Sequence, residues 1–138
     1  MNILIIDAQG GGIGRQLVAA IRERLPEASL TAVGTNSAAS SAMLKAGATQ
    51  AATGENAVVV SSRRADVIIG PIGIVIADAL LGEITPRMAQ AVAQADAKRI
   101  LIPINHCDNI VVGVSDLNIR HLLEEVLAEL EKIAAGGC

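Results

Sequence analysis

The chain has 138 residues, enough for one domain with a substantial core, and about half of them are hydrophobic. Phenylalanine, tyrosine and tryptophan are all absent, which excludes a tyrosine acid or base and the stacking of an aromatic side chain on a nucleobase. The net charge of −3 argues against a general nucleic-acid surface, and no apolar run reaches the ~18 residues of a membrane span.

The start of the chain and its cysteine content indicate a location. No basic segment precedes the first apolar run, so we expect no signal peptide. Two cysteines, Cys107 and Cys138, are too few for a disulfide framework. We therefore expect a cytoplasmic protein with a single domain over residues 1–138, frayed from residue 134 onwards.

The first predicted elements form a strand, a glycine loop and a helix. The apolar run from Asn2 to Asp7 predicts a strand buried on both faces, and the helical spacing of apolar residues from Ile13 to Leu25 predicts a helix that Pro26 ends. Glycines let a ligand approach the backbone, and the free amides at a helix start attract an anion, so this unit predicts a phosphate site. The loop consists of Gln9, Gly10, Gly11, Gly12, Ile13 and Gly14.

The glycine loop matches two known patterns in part. In the dinucleotide pattern G-x-G-x-x-G, Gly11 and Gly14 take the second and third glycine positions, and Gln9 replaces the first glycine. The closing Gly12-Ile13-Gly14 resembles the short-chain dehydrogenase turn without its opening Thr-Gly. A turn that is glycine-rich only for packing is the alternative, but three successive glycines exceed what a plain turn needs. We expect Gly11 to be the point of closest ligand approach and Gly14 to face the sheet.

The remaining elements alternate between strands and helices. Strands are predicted at 30–34, 49–53, 65–70, 99–104 and 110–114, and helices at 38–46, 55–64, 71–81, 86–95 and from a Ser115-Asp116 cap to Ile133. The valines at 58–60 would also suit a strand, but their place between two strands favours a helix. This order predicts a three-layer α/β fold of Rossmann type, with a mostly parallel sheet of five to six strands in the order 3-2-1-4-5 and helices on both faces.

That strand order places three turns at the carboxyl edge of the sheet, where a ligand binds in such folds. They are the glycine loop, the turn of Gly70, Pro71, Ile72 and Gly73, and the turn that begins at Asn105. Asn36 and Ser37 follow the second strand and could bond a ribose or a phosphate, although a helix cap alone also explains them. No carboxylate lies there to hold ribose hydroxyls, and no arginine to hold a 2′-phosphate, so the cofactor is left open as NAD(P) or another nucleotide.

Few residues could carry catalysis. The absence of tyrosine excludes short-chain dehydrogenase activity, and the candidates that remain are Cys107, His106 and Asp7. A thiolate needs a nearby cation or helix start, but adjacent residues on a turn point in different directions. Asp7 is better explained as an acceptor for turn amides. We expect no metal site, because His121 is the only other histidine, and we favour binding over catalysis.

Several stretches along the chain resemble a known family. They are Gln9 to Gly14, Asn36 to Ala48, Thr53 to Asn56, Gly70 to Ile74, Leu80 to Pro86 and Pro103 to Asn105. Together they resemble a small family of stand-alone bacterial Rossmann-like proteins of uncharacterised function. The resemblance covers nearly the whole chain, implies the fold and leaves the function open.

The sequence therefore predicts a protein that binds a nucleotide or a phosphorylated metabolite, with the ligand phosphate at Gly10–Gly14. Two alternatives remain open: a small enzyme that uses Cys107 or Asp7 on a phosphorylated or acyl substrate, and a structural or regulatory subunit whose loop is unoccupied. We expect a small phosphate-bearing ligand, no nucleic acid and no membrane as partners. A homo-oligomer, most simply a homodimer, is also expected, through the last helix or the alanines near Ala89, Ala93 and Ala97.

Overall fold

The computed structural model describes residues 1–104, 109–114 and 118–137. Within them, five parallel strands form one sheet in the order β3-β2-β1-β4-β5. The strands are β1 (Asn2–Asp7), β2 (Ser29–Gly34), β3 (Gln50–Thr53), β4 (Val67–Pro71) and β5 (Lys98–Ile102). The predicted fold class and strand order are confirmed.

Helices cover both faces of this sheet. They are α1 (Gly12–Arg24), α2 (Ser37–Lys45), α3 (Glu55–Arg64), α4 (Pro86–Gln94) and α5 (Ile119–Ala134). Residues 55–64 are a helix, as predicted, and Val58 and Val59 lie on its buried side. Thr85 caps α4 by accepting from the Met88 amide, and Pro86 takes the first helical position.

Alternation along β1 divides the core into two clusters. Ile3 and Ile5 pack with the apolar faces of α1, α2 and α5, whereas Leu4 and Ile6 pack with α3 and α4. Successive side chains of a strand point to opposite faces, so a strand with four consecutive apolar residues, as from Ile3 to Ile6, needs a helical layer on each side. The three layers are thus a direct consequence of the sequence of β1.

The predicted helix over residues 71–81 is wrong. Pro71 still belongs to β4, one 3-10 turn follows at Ile72–Val75, and tight turns continue to residue 83. Asp78, Leu80 and Leu81 have φ values of 66°, 56° and 59°, a left-handed backbone that a right-handed helix excludes. The apolar residues that suggested a helix instead anchor a compact loop, in which the side chains of Leu80 and Ile84 are buried.

The predicted sixth strand at 110–114 is also wrong. The chain turns at residues 112 and 113, where Gly113 has a φ of 91°. Ile110 and Val112 are each 93% exposed, so the apolar residues of this segment do not indicate a strand of the sheet. Ser115 and Asp116, the predicted cap of the last helix, lie outside the described residues, and Asn118 caps α5 by accepting from the Arg120 and His121 amides.

The surfaces suggested for self-association are largely used within the domain. Ala89 and Ala97 are buried against the sheet on the α4 side, while Ala93 is exposed. The apolar stripe of α5, formed by Leu122, Val126, Leu127 and Leu130, is buried on the other face. Homo-oligomerisation therefore stays a prediction without an assigned surface. No helix in the described part of the chain is both long enough and apolar enough to cross a membrane.

Candidate functional site

The carboxyl ends of β1, β2 and β4 bring three connections to one edge of the sheet. β1 pairs with β2 on one side and with β4 on the other, so chain connections leave β1 and β4 in opposite directions. The glycine loop, the β2–α2 turn and the 3-10 turn after β4 all begin at this edge. Of the third predicted turn, Asn105, His106 and Cys107 lie outside the described residues, so their predicted roles stay predictions.

Asp7 holds the glycine loop in place from within. Its side chain is 5% exposed, and its two oxygens accept from the Ala8 amide at 2.8 Å and the Gly14 amide at 2.7 Å. Burial raises the pKa of this carboxyl, the two amides oppose that rise, and the charge of Glu83 adds to it. The expectation that Asp7 bonds turn amides is confirmed, and both oxygens are engaged by the scaffold.

Gly11 and Gly14 are required for packing. Gly11 has a φ of 74° and hydrogen-bonds the Ala8 carbonyl, and a Cβ added to it would lie 2.7 Å from the Ala39 Cα. A Cβ at Gly14 would lie 2.5 Å from the Met43 Sδ. Gly14 thus faces the interior, as predicted. The expectation that Gly11 is the point of closest ligand approach needs correction, because α2 packs directly against the Cα of Gly11.

Gly10 and Gly12 are the open glycines of the loop. A Cβ on either would meet nothing within 4 Å. Among the described residues, no hydrogen bond joins their amides to another group, whereas the Gln9, Gly11 and Gly14 amides all have acceptors. The Gly12 amide lies at the first position of the 13-residue helix α1 and so at the positive end of its dipole, and the Gly10 amide directly precedes the N-cap Gly11. These are the loop amides that remain available as hydrogen-bond donors, the type of group that binds anions at helix starts.

Glu83 completes the edge from the loop that follows β4. Its Oε1 accepts from the Thr35 hydroxyl at 2.6 Å, the Asn36 side-chain amide at 2.9 Å and the Gln9 backbone amide at 3.1 Å. The hydrogen bond from Thr35 is the largest of the effects that lower the pKa of Glu83, so the group is ionised at neutral pH. Sequence reasoning missed this residue, because only the folded chain brings it to the ends of β1 and β2.

Asn36 and Ser37 have different roles. The Asn36 Oδ1 caps α2 by accepting from the Ala39 amide at 3.0 Å, and its Nδ2 donates to the Gln9 carbonyl as well as to Glu83. Asn36 therefore caps α2 and ties the second turn to the glycine loop, whereas its predicted contact with a ribose or a phosphate stays a prediction. Ser37 is the exposed first residue of α2. Asn36 is the N-cap of this helix, so capping does not account for Ser37.

The turn after β4 is mostly closed. Pro71 and Gly73 are buried, and a Cβ at Gly70 would collide with the Ile6 carbonyl oxygen. Gly70 is thus needed where β4 lies against β1, and of the four predicted residues Ile72 alone is half-exposed. This turn offers little accessible surface, and the accessible polar groups at this edge come from the glycine loop, the β2–α2 turn and Glu83.

Family comparison agrees with this architecture. A model described as a domain of unknown function (DUF3842) matches residues 2–135. The chain belongs to this family. The crystal structure of a dodecameric FMN-dependent UbiX-like decarboxylase from Escherichia coli O157:H7 has a similar fold, with a TM-score of 0.53, 18% identity and 95% of each chain covered. At that identity the likeness shows the fold alone. No curated protein matches the chain.

The polarity of the site defines what it can bind. The amides of Gly10 and Gly12 offer hydrogen-bond donors, whereas Glu83 offers a negative charge. In the described part of the protein, the Glu83 Oε2 accepts no hydrogen bond, because all three donors bond Oε1. The edge can therefore receive an anionic group on one side and a hydroxyl or cationic group on the other.

Proposed function

We propose that the protein binds a phosphate-bearing nucleotide or phosphorylated metabolite, with a phosphate on the amides of Gly10 and Gly12. The observation that carries the proposal is the pair of unpaired amides on open glycines at the start of α1. Backbone amides at a helix start are an established phosphate-binding arrangement, and ligands in open α/β sheets bind where strand order reverses.

The charges around the loop restrict where the phosphate binds. Asp7 already occupies the Gly14 amide, and Glu83 occupies the Gln9 amide. Both of these amides already have a carboxylate acceptor, so we place the phosphate on Gly10 and Gly12, whose amides have no acceptor among the described residues. A catalytic role for Asp7 is disfavoured, since both of its oxygens accept hydrogen bonds from the loop.

Thermal unfolding with a nucleotide panel tests the proposal. The panel contains NAD, NADP, ATP, GTP and FMN; FMN is included because it carries a phosphate and is named for the structurally similar decarboxylase. A ligand at about 100 times its dissociation constant stabilises the fold by about 2.7 kcal/mol, or about 9 °C for a domain of this size. Far-UV circular dichroism is the suitable signal, because the chain has no aromatic residue. A panel without any shift contradicts the binding of a nucleotide, which is the first half of the proposal.

A matched pair of variants then locates the ligand. Gly12→Val places a side chain into the open space beside the amides, and we expect it to abolish the ligand shift. Ala19→Val introduces the same side chain at an exposed position one to two turns further along α1 and should leave the shift unchanged. Equal ligand shifts in the two variants would show that the phosphate does not bind at the loop.

A further inference from the structure

We propose that Glu83 is a specificity-determining residue of this site: its free carboxylate oxygen accepts a hydrogen bond from a ligand ribose hydroxyl, and its charge excludes a 2′-phosphate. The inference deepens the proposed function and rests on it. It names the ligand class as ribonucleotides whose 2′-hydroxyl is free.

The position of the carboxylate is the first argument. The Glu83 Oε1 lies 2.6 Å from the hydroxyl of Thr35, the residue directly after β2, and 3.1 Å from the Gln9 amide of the glycine loop. Dinucleotide-binding sheets place a ribose between these two segments, and a carboxylate at the end of the second strand accepts from its hydroxyls. The end of β2 has no acidic residue here, and Glu83 supplies the carboxylate from a different loop.

The loop that carries Glu83 is held firmly. Leu80 and Ile84 bury their side chains in the core on the α4 side, and Asp78 donates its amide to the Ile84 carbonyl at 2.7 Å. Left-handed φ values at Asp78, Leu80 and Leu81 persist only where the surroundings impose them. Three donors on Oε1 fix the carboxylate itself, so Oε2 is pre-positioned as an acceptor.

The chemistry of the free oxygen selects the ligand group. An ionised carboxylate only accepts hydrogen bonds, so Oε2 suits a hydroxyl donor. A phosphate at this place would meet the charge of Glu83 and that of Asp7, which lies close enough for Glu83 to raise its pKa. Loss of one charge-assisted hydrogen bond to a ligand corresponds to about tenfold or more in affinity.

Binding of paired nucleotides to the wild-type protein is the first test. Using isothermal titration, we expect NAD to bind at least about tenfold more tightly than NADP, and ATP about tenfold more tightly than 2′-deoxy-ATP. These comparisons need no variant, so they do not depend on a substitution being tolerated. Equal affinities for NAD and NADP, together with equal affinities for ATP and 2′-deoxy-ATP, overturn the inference and leave the proposed function intact. Binding of FMN alone has the same two consequences. A wild-type protein that binds no nucleotide overturns the inference together with the nucleotide half of the proposed function.

Glu83→Gln is the second test, with Glu55→Gln as its control. Glu55 also accepts from a threonine, the Thr85 hydroxyl at 2.6 Å, but it lies at the start of α3. We expect Glu83→Gln to weaken NAD binding by about tenfold and to reduce the preference over NADP, while Glu55→Gln changes neither. If Glu83→Gln weakens the binding of NAD and NADP equally, Glu83 only stabilises the loops. If the variant binds both nucleotides more tightly, Glu83 obstructs the site. Either result overturns the inference.

Discussion

Replacement of Gly11 by alanine should destabilise the fold strongly, although the change adds a single methyl group. The new Cβ would lie 2.7 Å from the Ala39 Cα and 3.1 Å from the Ala39 carbonyl oxygen, and these backbone atoms of α2 cannot move aside alone. Overpacking of this kind costs about 1–3 kcal/mol. The φ of 74° adds roughly 1 kcal/mol for a residue with a Cβ. We therefore expect a loss of about 2–4 kcal/mol.

Gly12→Ala is the control for this change, because the same methyl group meets nothing within 4 Å there. Gly12 opens α1, so alanine should leave stability unchanged or raise it by up to about 1 kcal/mol. At about 3–4 °C per kcal/mol for this length, the melting temperatures of the two variants should differ by roughly 6–20 °C, measured by far-UV circular dichroism without ligand. Equal melting temperatures would refute the packing role assigned to Gly11.

Three further substitutions, and Ser37→Ala as a control, test other parts of the scaffold. Because burial raises the pKa of Asp7 above its ordinary 3.8, the native state holds this proton more tightly than the unfolded state. The unfolding free energy of wild type, taken relative to that of Asp7→Asn, should therefore fall as the pH rises from about 4 to the raised pKa, and should be constant above it. Thermal melts of both proteins across that pH range measure this difference. Arg22 donates to three backbone carbonyls and to a threonine hydroxyl, so urea unfolding of Arg22→Lys should show a loss of about 1–3 kcal/mol. Asn36→Ala removes the α2 cap and should cost about 1–2 kcal/mol in the same assay, whereas Ser37→Ala should stay within about 0.5 kcal/mol of wild type.

The sheet could be predicted because its signals are local. Several element boundaries are determined by neighbouring residues alone. Examples are the apolar run of β1, the Thr85-Pro86 cap of α4, and Gly47 after α2, which has a left-handed φ of 121°. Parallel strands joined by right-handed crossovers then leave few possible orders. The glycine loop is a local signal of the same kind, because its residues are consecutive in the chain.

The parts of the site that could not be predicted depend on distant contacts. Whether Gly11 or Gly12 is open depends on where Ala39 of α2 lies, 28 residues later in the chain. The bond between Gln9 and Glu83 spans 74 residues, and no local motif indicates it. The loop after β4 was mistaken for a helix because its apolar residues have suitable spacing, while the left-handed φ of Leu80 and Leu81 is imposed by tertiary packing.

Amide chemical shifts of the glycine loop test the central claim most directly. In an ¹⁵N-labelled sample titrated with the nucleotide that raises the melting temperature most, the Gly10 and Gly12 amide resonances should show the largest shifts, because their N–H groups bond the phosphate. The Gly54 amide, which already donates to the Gly34 carbonyl at 2.9 Å, should move little. Saturable binding that leaves Gly10 and Gly12 unmoved, and instead shifts residues of the groove between α3 and α4 beside Arg63 and Arg87, would contradict a phosphate site at the loop.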